Sequence, residues 1–437
     1  MSFFYLYCMK RKLLQTTLLL LSYLASAQFT IKVESPKNFS FNEAYLYTVN
    51  GSKDILIDKV EKRNNTWLFQ VKNSYLGLLK VYFPQANTSL NLVSENKNVD
   101  LKFSVKNNKV QQIDYYDEVN NIFYSIQDQQ KKREQILPAL YQIQNFYKEN
   151  SDFGVALKNE VSNLSADIVF DSDKHPFLSY YFKTYQNFLQ ESVGKKNPTN
   201  DEIISFLNNT QNYLETSSLL KPILMVFLSN TSRSSLGDEV DKLLTAVNVE
   251  TPRGQTILSE LIEIFNVYSI KDLKEKYLTE AKNLKCTIND RLANTIKSNA
   301  NTEIGKIIPN NTFLNPVNTK VKSLHDVKAD KKIIILWSST CSHCEKEIGE
   351  MVLQYNKLKE KNIEVVGLSL DSDAKSYSDK VKMLPWINDT ELKGWYSSYV
   401  DTYNVHATPT FYIVDAKNKI IANPDNFSEI LELLQLK

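Results

Sequence analysis

In the segment ILWSSTCSHCEKEIGEM (335–351), Cys341 and Cys344 stand three positions apart, directly after a run of isoleucines. A pair at this spacing is a working dithiol, half of a metal site, or two cysteines that happen to be close. A metal site needs more ligands than Cys341, His343 and Cys344, and no second Cys-x-x-Cys or His-x-x-x-His completes a tetrahedral set. No metal and no cofactor are therefore expected. As a dithiol the pair is chemically complete. At the start of a helix, unpaired N–H groups and the helix dipole favour an anion, which makes Cys341 the attacking thiolate. Cys344, one turn further in, is placed to cut the resulting mixed disulfide. His343 adds a donor that becomes cationic beside the thiolate, which favours the reduced form and makes the disulfide more oxidising.

The flanking pattern supplies that helix start. KKIIILW (331–337) reads as a buried strand, and the helix after Cys341 carries Ile348, Met351, Val352 and Tyr355 on one side. NIEVVGLSL (362–370) is a second buried strand, followed by a short helical stretch. ELKGWYSSYVDTY (391–403) reads as another helix. PTFYIVD (409–415) and KIIANP (419–424) read as strands joined at Lys417-Asn418, and FSEILELLQ (427–435) as a closing helix. The order β-α-β-α-β-β-α describes a central sheet covered by helices.

The residues before it change period once. Residues 28–112 alternate as strands do: Val99, Leu101, Phe103 and Val105 share one face, and Asp100, Lys102 and Ser104 the other. Residues 113–300 turn helical, with stripes at Ile136, Leu140, Ile143, Tyr147 and at Leu258, Leu261, Ile262, Phe265. The expected organisation is multidomain, with a small β-rich, sandwich-like domain (28–112), an α-helical domain (113–300) and an α/β domain (301–437). In the helical part, Cys286 reads as a buried small hydrophobe and His175 as a surface or capping residue.

Lys10-Arg11-Lys12, the apolar run Leu13 to Leu24, and Ala25-Ser26-Ala27 have the form of a secretory signal cleaved after Ala27. The apolar run is short for a membrane span, which needs about 20 residues. Removal of 1–27 leaves 49 basic and 50 acidic residues, and no Lys/Arg block suggests a nucleic-acid partner. The mature chain keeps three cysteines, an odd number that excludes a disulfide framework. In a non-reducing compartment a Cys-x-x-Cys pair is more often redox-active than structural, because it closes almost no loop.

The combination resembles the thioredoxin fold, and more closely the TlpA/ResA-type thiol-disulfide oxidoreductases of the bacterial envelope. Trp337 lies four residues before Cys341, as the active-site tryptophan of thioredoxins does. Thr408-Pro409 in NVHATPTFYIVD matches the cis-proline segment that faces the dithiol and presents backbone to substrate. Glu347, three residues after Cys344, matches an acidic residue that tunes the cysteine pKa values in this group. The resemblance implies a thioredoxin-like α/β fold, catalytic Cys341, Cys344 and Glu347, and substrate contacts from Thr408, Pro409, Trp337 and His343. It covers about 135 residues. Two positions depart from thioredoxin proper: Ile335 replaces its buried aspartate and Thr340 its tryptophan, which fits a dedicated envelope protein. The N-terminal 300 residues resemble, more loosely, the β-rich and helical extensions that precede TlpA-like domains.

The implied activity is exchange of disulfides with envelope proteins or small thiols, with a membrane thiol-transfer protein as electron donor. Glu347 and the resemblance favour reduction of substrates, whereas Ser342-His343 pulls toward a more oxidising pair. A peroxidase wants a lone cysteine with threonine three residues before it, and residue 338 is serine. The alternative from another class is a surface or periplasmic binding protein in which the N-terminal region works and the dithiol domain is accessory. Spacing leaves the oligomeric state open.

Overall fold

The computed structural model describes residues 28–106, 109–166, 168–190 and 197–436. The secretory segment expected at 1–27 lies outside the described residues. Among those described, no helix is long and apolar enough to cross a membrane.

The chain divides into two compact units. One takes in residues up to Val49 with Asp54–Val81 and Leu90–Lys183, and the other Asn50–Lys53, Tyr82–Ser89 and the chain from Thr184. Eight N-terminal strands, β1 (Phe29–Glu34), β2 (Glu43–Asn50), β3 (Lys53–Glu61), β4 (Thr66–Val71), β5 (Leu76–Phe83), β6 (Thr88–Glu95), β7 (Val99–Lys106) and β8 (Lys109–Tyr115), form two sheets. Their orders are β4-β1-β7-β8 and β3-β2-β5-β6. β1 runs antiparallel to β4, from Phe29 opposite Val71 to Glu34 opposite Thr66, and parallel to β7. Alternation along β7 buries Val99, Leu101 and Phe103, and Phe103 joins Phe39 and Trp67 in an aromatic cluster.

In the same unit His175 is buried rather than on the surface. Its Nδ1 lies 2.8 Å from Glu95 Oε2, and the pair is almost inaccessible. Of the stripe, only Leu140 and Ile143 lie on the helix Leu137–Gln144, which carries no buried residue; Ile136 caps its start and Tyr147 lies past its end, and Ile136, Ile143 and Tyr147 are exposed. Its period overlaps a helix only in part, and period alone cannot tell a covered face from an open one.

In the second unit the helix Pro252–Val267 starts on a Thr251 cap with proline in the first turn, and Leu258, Leu261, Ile262 and Phe265 are fully buried. Gln255, Glu260 and Glu263 are buried with them. Buried carboxylates must be paired, and Arg291 of the helix Asp290–Asn301 meets both. It donates to Glu263 at 2.5 and 2.8 Å and to Glu260 at 3.2 Å. Ser52 completes Glu260 through its backbone N–H and hydroxyl, each at 2.7 Å.

The C-terminal part is a thioredoxin-like α/β domain. Its five strands, β9 (Lys331–Trp337), β10 (Ile363–Ser369), β11 (Ile387–Thr390), β12 (Thr410–Asp415) and β13 (Ile420–Ala422), lie in the order β11-β10-β9-β12-β13. β10 is parallel to β9 and β11, while β12 is antiparallel to β9 and β13. Ile333 and Ile335 face one hydrophobic cluster and Ile334 and Leu336 the other, so β9 is covered on both faces. The segment read as one long helix, ELKGWYSSYVDTY, is instead a 3-10 turn at Gly394–Tyr396 and a short helix at Ser398–Thr402. The strand β11 before it was not expected. Its sequence, INDT, buries polar side chains on a sheet edge and gives no apolar run to read.

Candidate active site

β9 ends inside the core at Trp337, which is fully buried. Below the indole, Gly367 of β10 leaves room that no other residue would: a Cβ there would fall 2.8 Å from Trp337 Nε1 and 2.4 Å from Asn388 Oδ1. The turn Ser338–Thr340 then carries the chain to Cys341. Asp371, just beyond β10, holds this turn. Its carboxylate accepts the Ser339 N–H at 3.0 and 3.1 Å, and the hydroxyls of Ser338 at 3.0 Å, Ser339 at 2.7 Å and Ser369 at 2.6 Å. Asp371 was missed in the sequence, where an aspartate ending the run VVGLSL looks like any polar residue after a strand.

Cys341 is the N-cap of the helix Ser342–Glu360, and its Sγ accepts the backbone N–H of Cys344 at 3.1 Å. The cysteines form a disulfide with Cα atoms 5.2 Å apart. Cys344 is inaccessible, whereas Cys341 is half-buried and open to a partner. The Cys344 N–H that bonds to Sγ in the disulfide would bond more strongly to a thiolate, because the acceptor then carries charge. His343 is exposed on the first turn.

Opposite the disulfide runs the loop before β12. The Thr408–Pro409 peptide is cis, and the Thr408 carbonyl oxygen lies 3.3 Å from Cys341 Sγ. Thr408, Pro409, Trp337, Cys341 and Cys344 therefore share one locality. Glu347 lies one turn beyond Cys344, and its Oε2 accepts the Phe427 N–H at 2.7 Å, at the start of the helix Phe427–Leu433. Cys286 is a half-buried free thiol in the loop before Asp290, with Gln255 Nε2 at 3.3 Å from its sulfur.

An α/β sheet of this order, with a dithiol on the first turn of the helix after its central strand and a cis-proline facing it, defines a thioredoxin-like oxidoreductase domain. The AhpC/TSA family model matches residues 304–423. Thiol-disulfide oxidoreductase ResA of Bacillus thuringiensis subsp. konkukian is 31% identical over 120 residues, which are 27% of this chain and 68% of that protein. A ResA of Bacillus cereus is 29% identical, also over 120 residues, with the same coverage. The chain belongs, through this C-terminal domain, to the ResA thiol-disulfide oxidoreductase family. Among solved structures, a domain of a possible thiol-disulfide isomerase from Cytophaga hutchinsonii is 26% identical and covers 30% of this chain and 91% of its own, with a TM-score of 0.28. The thioredoxin domain of a thiol-disulfide oxidoreductase from Bacteroides vulgatus is 21% identical over 30% of this chain and 96% of its own, also at 0.28.

Proposed function

We propose that the protein is an exported thiol-disulfide oxidoreductase that reduces disulfides of cell-envelope proteins through Cys341-Ser342-His343-Cys344. The observation that carries this reading is the asymmetry of the pair: an accessible Cys341 Sγ at a helix N-terminus, 3.3 Å from the Thr408 carbonyl, with Cys344 sealed behind it. In the reduced protein the Cys341 thiolate attacks one sulfur of a substrate disulfide, forms a mixed disulfide and releases the first substrate thiolate. The Cys344 thiolate then attacks Cys341 Sγ and releases the second. Two electrons pass to the substrate, and the protein is left as the Cys341–Cys344 disulfide. The Thr408–Pro409 backbone lies where a substrate chain would be presented to Cys341. Trp337 and His343 border the dithiol.

Family membership supports the reducing direction, and a membrane thiol-transfer protein is the class of donor that would restore the dithiol. Export is supported by the form of residues 10–27. The test is to trap substrates with Cys344→Ser, which stops the cycle at the mixed disulfide. Envelope proteins bound through Cys341 are expected, together with electron flow from the reduced wild-type protein to those partners. Net oxidation of reduced partners by the disulfide form would reverse the direction. Loss of all adducts on Cys341→Ser must accompany either result.

A further inference from the structure

We propose that the cavity beside Pro409 is a subsite for the polypeptide flanking a substrate cysteine, and that Lys274 selects an acidic residue in that segment. The proposal rests on the oxidoreductase reading above. The cavity, of about 550 Å³, is walled on one side by His406, Ala407, Pro409 and Thr410 and on the other by Lys274 and Leu278 of the helix Lys271–Lys282. Its size lies within the roughly 300–1,000 Å³ of pockets that hold a small ligand, enough for one or two side chains. Ala407 and Pro409 flank Thr408, so the cavity begins one residue from the carbonyl that faces Cys341 Sγ. An extended chain advances about 3.3 Å per residue. A substrate whose cysteine reacts at Cys341 therefore brings a side chain one or two residues away into this space.

Charge sets the class of that side chain. Besides His406 and the buried Tyr412, the ionisable residues of the wall are Lys271, Lys274, Glu275, Glu303 and Asp425, of which all except Lys274 are exposed. Lys271 and Asp425 neutralise each other at 3.2 Å. Lys274 is half-buried, and its ammonium makes no ion pair and no side-chain hydrogen bond among the described residues. Burial lowers its pKa, Glu275 opposes the shift and Lys271 adds to it. A partly desolvated cation without a partner is costly, and a carboxylate from the substrate would offset that cost. Ile304 and Pro409 supply apolar surface for the rest of the segment. The wall is fixed before binding: Asn404 donates to Asn299 at 3.1 Å and its Oδ1 lies 2.9 Å from His406 Nε2, so little ordering remains to oppose association.

The experiment uses the full reduced chain and pairs of synthetic peptide disulfides that differ only by Asp against Asn at one of the two positions on either side of the cysteine. At low ionic strength the wild type should turn over the acidic member with a kcat/KM about tenfold higher at one of those positions. Lys274→Met should abolish the preference and Lys274→Glu should invert it. Because each comparison is a ratio within one variant, partial unfolding cannot imitate it. Equal turnover of both members at every position by the wild type, or a preference that survives Lys274→Met, overturns the subsite and leaves the oxidoreductase reading standing. Failure of the wild type to reduce any peptide overturns that reading, and the subsite falls with it.

Discussion

Nδ1 of His406 faces Oε2 of Glu263 at 4.0 Å. The histidine stands three residues before the cis-proline, and the glutamate sits one turn before the end of the helix Pro252–Val267. Burial alone would raise the Glu263 carboxyl, but the Arg291 guanidinium overrides it and holds the group well below the usual carboxylate range. The Asn404–Asn299 hydrogen bond fastens the same loop to a second helix. The loop presenting Thr408 to Cys341 is thus held by buried polar groups from the helices that precede the dithiol domain.

That relationship predicts an acid-sensitive fold. The His406 ring is pushed down to about 4, chiefly by burial; Glu263 opposes the shift, and Lys53, Arg291 and Lys221 add to it. The folded state keeps the ring neutral, while the unfolded chain protonates it near pH 6.5. The stabilisation is complete above about pH 6.5 and is lost as the pH falls toward 4, by at most ~3 kcal/mol. His406→Gln should flatten the dependence of the urea midpoint on pH across this window. Parallel wild-type and variant curves would show that His406 does not titrate there.

Cys341 should be the reactive thiol. In the reduced protein its apparent pKa is expected below the ordinary ~8.5, because the Cys344 N–H and the helix start favour the thiolate. Alkylation across pH should label Cys341 first and Cys344 only on unfolding. Mass spectrometry of the oxidised chain should find one Cys341–Cys344 bridge and a free Cys286. Earlier labelling of Cys344, or a stable bridge through Cys286, contradicts these roles.

What the sequence made legible divides along physical lines. The run IIILW, the stripe beneath Cys344 and the Thr-Pro before a strand each have a local signature, because one element determines each. Asp371 and His406 have none. Their roles arise where a polar side chain from one element meets backbone or charge from another 30 or more residues away. The strand Ile387–Thr390 failed for a related reason: buried Asp389 and Thr390 find their partners on other segments, Asp389 accepting from the N–H groups of Leu314 and Asn315 and the Thr390 hydroxyl donating to the Ser369 carbonyl. Polarity there marked an internal network, where a sequence reading expects a loop.

Asp371 is predicted to be a positioning residue for the dithiol turn. Asp371→Ala leaves the Ser339 N–H without its acceptor and should cost about 2 kcal/mol. Misplacing Cys341 should also slow exchange with a small aromatic disulfide about tenfold per folded molecule. Asp371→Asn keeps one acceptor oxygen and should restore part of the rate. If the melting temperature drops but the rate per folded molecule does not, the carboxylate serves stability alone.

Glu347 has two candidate tasks, and one substitution separates them. The family resemblance gives it the tuning of the cysteines, since a carboxylate one turn past Cys344 disfavours a second negative charge and, when protonated, can hand a proton to a departing sulfur. The structure gives it the Phe427 N–H, at the first turn of the closing helix, where a negative charge is worth about 0.3–1 kcal/mol. Glutamine keeps an oxygen for that N–H but carries no charge. Glu347→Gln should therefore cost at most ~1 kcal/mol in stability through the helix. If the tuning operates, it should also lower the apparent pKa of Cys341 or Cys344 and reshape the pH profile of exchange. Thiol titrations and exchange rates that overlay the wild type from acid to alkaline pH, beside a small loss of stability, would assign Glu347 to the helix alone. Proton transfer to Cys344 would then fall to water, since Ile335 occupies the position at which thioredoxin proper carries an aspartate.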